Sequence, residues 1–121
     1  MTILSPQAHR ALDFLTVVAF ALAPTVVPLT GPAAILAYVL AAVHLAMTLA
    51  TEFPEGGRKP LPFRWHGLVE AVVGVTLIVL PFILGWTGAA RTFYVAAGAV
   101  ILGVWALTRY NAGRPAAGAG V

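Results

Sequence analysis

Apolar residues in this chain neither alternate nor keep to a narrow helical stripe. They form four long runs separated by short polar or Pro/Gly segments, at about Ala11–Val27, Ala33–Thr51, Leu68–Trp86 and Thr92–Leu107. Crossing about 30 Å of hydrocarbon takes roughly 17–25 mainly apolar helical residues, so the pattern predicts four transmembrane helices. The segments Pro28-Leu29-Thr30-Gly31-Pro32 and Gly85-Trp86-Thr87-Gly88 are turn signals too short for a wide connection, which makes each successive helix pair a hairpin. Glu52 to Pro62 is the one hydrophilic stretch inside the chain, and the Gly/Ala-rich residues 112-121 read as a flexible tail.

Polar positions within these runs recur. His9 and His66, Asp13 and Glu70, Pro24 and Pro81, Thr30-Gly31 and Thr87-Gly88, and Thr51 and Thr108 are each separated by 57 positions (66 − 9, 108 − 51). A fixed offset of this kind is the mark of a tandem duplication, here with units 9-53 and 66-110 and a linker 54-65. Each unit holds an even number of spans, so both copies enter the membrane from the same side. The expected fold class is therefore an all-α membrane protein, one domain over residues 1-121. Its four transmembrane helices form two tandem helical hairpins related by a pseudo-two-fold along the membrane normal, unlike the inverted repeats of many carriers. Ala42-x-x-x-Ala46 and Ala99-x-x-x-Gly103 place small residues four apart, a spacing that lets helices approach closely in lipid. On that basis the second and fourth helices are expected to pack centrally; the general abundance of alanine is the competing explanation.

Composition supports the membrane reading. The chain is 60% hydrophobic and 9% charged, against about a quarter charged in an average globular protein. A secretory leader is the rival for the first run, with Arg10 as its flank and Ala21-Leu22-Ala23 as its cleavage site. The repeat argues against it, since cleavage would strip the second unit of its partner. With no cysteine in the chain, disulfides, thiolate metal sites and redox dithiols are all excluded. The net charge of +3 comes from dispersed bases that flank apolar runs, which does not suggest a nucleic-acid surface. Arg10, Arg58, Lys59, Arg64, Arg109 and Arg114 fall on one side of the predicted spans and Arg91 alone on the other. By the excess of positive charge on cytoplasmic loops, both termini are expected in the cytoplasm and the helices in the plasma (inner) membrane. Phe53, Trp65, Trp86, Trp105 and Tyr110 are expected at the membrane interfaces.

The stretch Leu80-Pro81-Phe82-Ile83-Leu84-Gly85-Trp86, followed after a turn by Gly98-Ala99-Val100-Ile101-Leu102, resembles the SPW-repeat family, small prokaryotic membrane proteins built from a two-helix repeat with a Ser-Pro-Trp motif. The resemblance spans residues 9 to 110, once per unit. The triplets here are Ala23-Pro24-Thr25 and Leu80-Pro81-Phe82, so only the proline is kept. What it implies is a bacterial integral membrane protein; it brings no activity and no catalytic residues.

His9 and Asp13 stand four apart, as do His66 and Glu70, so each pair shares a helix face. The duplication sets both pairs at one depth near the cytoplasmic ends of the first and third helices, with Thr51 and Thr108 closing the other helices on that side. Two readings stay open. Converging, the four side chains can hold a divalent metal such as zinc or iron or relay protons. Lying apart, the acids complement the positive helix ends and the histidines bond within their own helices. His44 lies inside the second helix opposite the apolar Ile101 of the other unit, with Thr48 one turn on as a partner for its proton; it is expected to bond between helices rather than ligate. Haem needs two imidazoles facing one another, and the acids beside His9 and His66 would crowd it, so none is expected. No nucleophile–base pair, phosphate loop or cofactor fingerprint stands in the chain, and the reading leans away from an enzyme. The leading expectation is a small structural or accessory membrane protein that packs against itself as a homo-oligomer or against a larger membrane complex. The alternative is a protein that binds or passes protons, a metal or a small polar solute through the His/acid cluster.

Overall fold

The computed structural model describes residues 2–110; the tail expected at 112-121 lies outside them. Four helices, α1 (Pro6–Val26), α2 (Gly31–Ala50), α3 (Phe63–Leu84) and α4 (Gly88–Leu107), make up most of it, and all four are long and apolar enough to cross a membrane.

Local chemistry sets the boundaries. The Ser5 hydroxyl accepts the Ala8 N–H at 3.1 Å and Pro6 follows at the start of α1, where its missing N–H costs nothing. α1 and α3 therefore begin at Pro6 and Phe63, not at the Ala11 and Leu68 expected from the apolar runs. Caps and extended flanks start a helix, whereas hydropathy reports only where it becomes apolar. The correction matters because His9 and His66 lie within the helices. It also shortens the linker expected at 54-65, whose last residues join α3. α2 and α4 open on Gly31 (φ 54°) and Gly88 (φ 58°), a left-handed conformation that side chains bearing a Cβ resist.

Two short extended segments were not anticipated. β1 (Thr51–Glu52) pairs in parallel with β2 (Leu61–Pro62), Thr51 opposite Leu61. A single bridge joins Leu4 to Thr108, with the Leu4 N–H donating to Leu107 and the Arg109 N–H to the Leu4 carbonyl. Both tie the strand-like lead-in of one helix to the residue that closes another. Backbone groups that a helix end leaves unsatisfied find partners this way.

α1 packs on α2 and α3 on α4. The small-residue stripe of α2 that is buried is Ala33, Ala37 and Ala41, while Ala42, Ala46 and Ala99 are exposed. The expected central packing of the second and fourth helices through those positions is thus overturned; the alanines that matter sit one residue round the helix. At the end away from the strands, Tyr94 is buried and donates its hydroxyl to the Ala33 carbonyl at 2.5 Å, with Phe20, Leu77 and Trp86 around it. The distribution of burial is unusual for a small bundle. Leu15, Val26 and Ile83 are among many large apolar side chains facing outward, whereas three histidines, two acids and three threonines face inward.

Candidate metal centre

The inward polar residues form one cluster. α1 contributes His9 and Asp13, α3 His66 and Glu70, and α2 His44, and none of them is more than 6% exposed. The i, i+4 spacing aims each histidine and its acid in one direction, but the shortest contacts cross between helices. His9 Nε2 lies 2.9 Å from Glu70 Oε2 and His66 Nε2 lies 3.0 Å from Asp13 Oδ2, while each histidine is 3.2 Å from the acid on its own helix. His44 Nε2 is 3.5 Å from Asp13 Oδ1 and 3.4 Å from Glu70 Oε1. One donor atom from each of His9, Asp13, His66 and Glu70 falls within 4.8 Å of all the others.

Proton accounting shows what this arrangement lacks. The Thr108 hydroxyl donates its single proton to the Val104 carbonyl at 2.5 Å, so at 2.8 Å from His9 Nδ1 it can only accept. Likewise Thr51 donates to the Met47 carbonyl at 2.6 Å and accepts from His66 Nδ1 at 2.6 Å. Both imidazoles therefore carry a proton on Nδ1 and turn Nε2 toward the carboxylates, where it can ligate a cation or, once protonated, pair with them. His9 Nε2, His44 Nε2, His66 Nε2, Asp13 Oδ2 and Glu70 Oε2 are buried and make no aligned hydrogen bond despite their proximity. Buried polar groups left so are costly. A cation at the centre, or protons on the Nε2 atoms, would give these groups partners.

The donor set suits a divalent ion. Metal–nitrogen and metal–oxygen bonds of about 2.0–2.2 Å put neighbouring ligand atoms about 3 Å apart, the spacing seen between each Nε2 and its carboxylate oxygens. A ligating histidine characteristically gives its other ring N–H to a fixed acceptor, as Thr108 and Thr51 provide.

Aromatic rings cover the cluster on the strand side. Phe63 packs edge-on to His9 at 5.3 Å, Phe53 lies 5.8 Å from His66, and Tyr110 stacks 4.8 Å from Phe63. Tyr110 can lie there because Gly67 beneath it has no side chain; a Cβ would collide with its ring. Burial, then the Glu70 charge, push the Tyr110 phenol upward, so it keeps its proton. Beside these rings a cavity of about 530 Å³ opens between α1, α2 and the connecting segment, with Arg10, Phe14, Thr48, Thr51 and Lys59 in its wall. The Gln7 amide hydrogen-bonds the Glu55 carboxylate across it.

The structure brings together all of His9, Asp13, His66, Glu70, Thr51 and Thr108. His44 makes the expected contacts between helices, with Asp13 on α1 and Glu70 on α3, whereas Thr48, expected to take its proton, stays without a partner. Phe53 and Tyr110 roof the site, together with Phe63, which the sequence did not single out. A signal for His44 was present: Ala33, Ala37, Ala41, His44, Thr48 and Thr51 follow one another at spacings of three and four, one face of one helix. Comparisons with protein-family models, with curated proteins and with solved structures found no match.

Proposed function

We propose that the chain is an integral membrane protein that binds one divalent transition-metal ion among His9, Asp13, His66 and Glu70. The observation that carries this reading is the pair of threonine hydroxyls that fix Nδ1–H on both imidazoles and so aim both Nε2 atoms at the two carboxylates, with one donor atom from each of the four residues within 4.8 Å of the others. A purely scaffolding protein has no need to bury three imidazoles and two carboxylates around one centre, so the binding alternative is preferred over the accessory one.

The membrane part of the proposal rests on the outward Val, Leu and Ile side chains of four spanning-length helices. The matching pairs support a duplicated hairpin with its pseudo-two-fold along the membrane normal: His9 with Thr108 and His66 with Thr51, Leu4 with Thr108 and Leu61 with Thr51. Such an axis would run between His9 and His66, so duplication supplies half a metal site per copy. The basic residues then set both ends and the cluster toward the cytoplasmic face of the inner membrane. The SPW-repeat resemblance stays a proposal carried by Pro24 and Pro81.

Elemental analysis of the detergent-purified full chain tests the reading. About one transition-metal ion per chain is expected, falling to background in a double variant with Asp13→Asn and Glu70→Gln. A wild-type protein that is isolated without metal and takes up neither Zn2+ nor Co2+ on dialysis refutes it, and assigns the cluster to protons instead.

A further inference from the structure

His44 is the member of the cluster that duplication does not explain. Its counterpart 57 positions on is Ile101, which is buried and apolar. A symmetric site would end with the four donors supplied in pairs by α1 and α3. Yet the His44 ring leaves its own helix's hydrogen bonding unused, since neither its Nε2 nor the Thr48 hydroxyl one turn away has a partner. Its Nε2 instead faces one oxygen of each carboxylate, Asp13 Oδ1 and Glu70 Oε1, at nearly equal distances of 3.5 and 3.4 Å. Those two oxygens are also the ones 3.2 Å from His9 and His66 respectively. His44 thus faces the same two carboxylates as the other imidazoles, from a third helix and outside the tighter group of four.

We infer that His44 is a fifth metal donor, and that it selects an ion accepting more than four ligands, such as Fe2+, Mn2+, Co2+ or Ni2+, over zinc. The inference rests on the metal reading proposed above. Structural zinc is satisfied by four ligands and gains nothing from a fifth. Three imidazoles, two carboxylates and no sulfur form a donor set suited to ions of intermediate to hard character, and sites achieve selectivity through donor number and geometry because raw affinity alone favours copper and zinc. Burying an extra imidazole where the repeat offers isoleucine is a cost that a bond to the ion would offset.

The experiment uses the full chain in detergent with Co2+ as the probe, whose visible absorption is weak with five or six ligands and several-fold stronger with four. The wild type is expected to show the weak spectrum. His44→Ile, which installs the residue of position 101, should still bind Co2+ but with the strong four-ligand bands. Its preference for Mn2+ over Zn2+ in competition should also fall at least about tenfold, the lower end of what even outer-shell partners command. An H44I protein with the wild-type spectrum and wild-type competition ratio removes His44 from the ligands and leaves the tetrad standing. A wild type that takes up no Co2+ overturns the metal reading itself. Should H44I fail to accumulate, X-ray absorption on the Co2+-loaded wild type decides, with three imidazoles supporting the inference and two refuting it.

Discussion

The Thr108 hydroxyl lies 2.8 Å from His9 Nδ1, across 99 positions of sequence. Thr108 closes α4 and His9 stands in the opening turns of α1, so this contact binds the two ends of the described chain beside the cluster. Because the hydroxyl proton is committed to Val104 within its own helix, the contact has a fixed direction. A helix-terminal threonine thereby determines which nitrogen of a distant imidazole faces the carboxylates.

Replacing Thr108 or Thr51 by valine keeps shape and removes the acceptor. The imidazole is then free to shift its proton to Nε2, where it hydrogen-bonds a carboxylate and blocks the ligand position. Each variant should lose about 10–100-fold in metal affinity, the usual effect of deleting an outer-shell partner, and serine should restore most of it. Competition against a chromophoric chelator measures this. If Thr108→Val binds as tightly as wild type, the hydroxyl does not orient the ring.

Acid should strip the metal. Nε2 lone pairs and carboxylates bind either protons or the ion, so metal binding releases protons and apparent affinity rises with pH. Retention after dialysis should be complete near pH 7.5 and fall steeply below about pH 6, where imidazoles ordinarily gain protons. Retention that stays flat across this interval would mean that the imidazoles are not ligands.

Gly67 and Tyr110 offer a test of the aromatic roof. A methyl group at position 67 meets the Tyr110 ring and hydroxyl directly. Gly67→Ala should displace Tyr110, open the strand side of the cluster and lower stability by about 1–3 kcal/mol, as overpacking does. Adding Tyr110→Ala should relieve the clash and recover part of the loss, since contacting residues couple in double-mutant cycles. Additive losses in thermal unfolding would show that the two residues do not touch.

The helices and the members of the cluster were legible for definite reasons. Length and apolarity mark a span whatever its partners, and the offset between His9 and His66 marks equivalent positions before any contact is known. Convergence was not legible, because a spacing of four places His9 and Asp13 on one face without saying what that face meets. Helix starts were misplaced by five residues because Ser5-Pro6 caps a helix ahead of its apolar run. That His44 meets the same two carboxylates was not legible, because the repeat argument looks for pairs and a residue without a counterpart falls outside it. The wrong alanines were chosen on α2 because period alone does not fix rotation, and a shift of one residue turns the stripe by about 100°.

The far end of the bundle is held by one hydroxyl, that of Tyr94 on the Ala33 carbonyl. Ala37 stands 57 positions earlier and is also fully buried, so a large ring fills in one pair what a methyl leaves in the other. Tyr94→Phe keeps the ring and should cost about 1 kcal/mol, because the carbonyl that loses the bond lies at a helix start with its own acceptor role. Metal content should be unchanged, since the cluster lies at the opposite end. A loss of metal in this variant would show that the two ends are coupled.

The α3–α4 contact is closer than side chains would permit. A Cβ on Gly98 would stand 2.5 Å from the Gly74 carbonyl and 3.1 Å from the Ile78 backbone nitrogen, atoms that cannot swing aside, whereas Gly103 on the same helix has nothing within 4 Å. Two substitutions of identical chemistry should therefore diverge. Gly98→Ala forces the helices apart and should destabilise by about 1–3 kcal/mol, whereas Gly103→Ala should be neutral or stabilise by about 0.5–1 kcal/mol, the helical gain of alanine over glycine. Parallel thermal unfolding in one detergent compares them directly. Equal effects would mean that α3 and α4 do not meet at Gly74 and Gly98, and Glu70, one turn before Gly74 on α3, would then lose the close crossing that holds its helix in place.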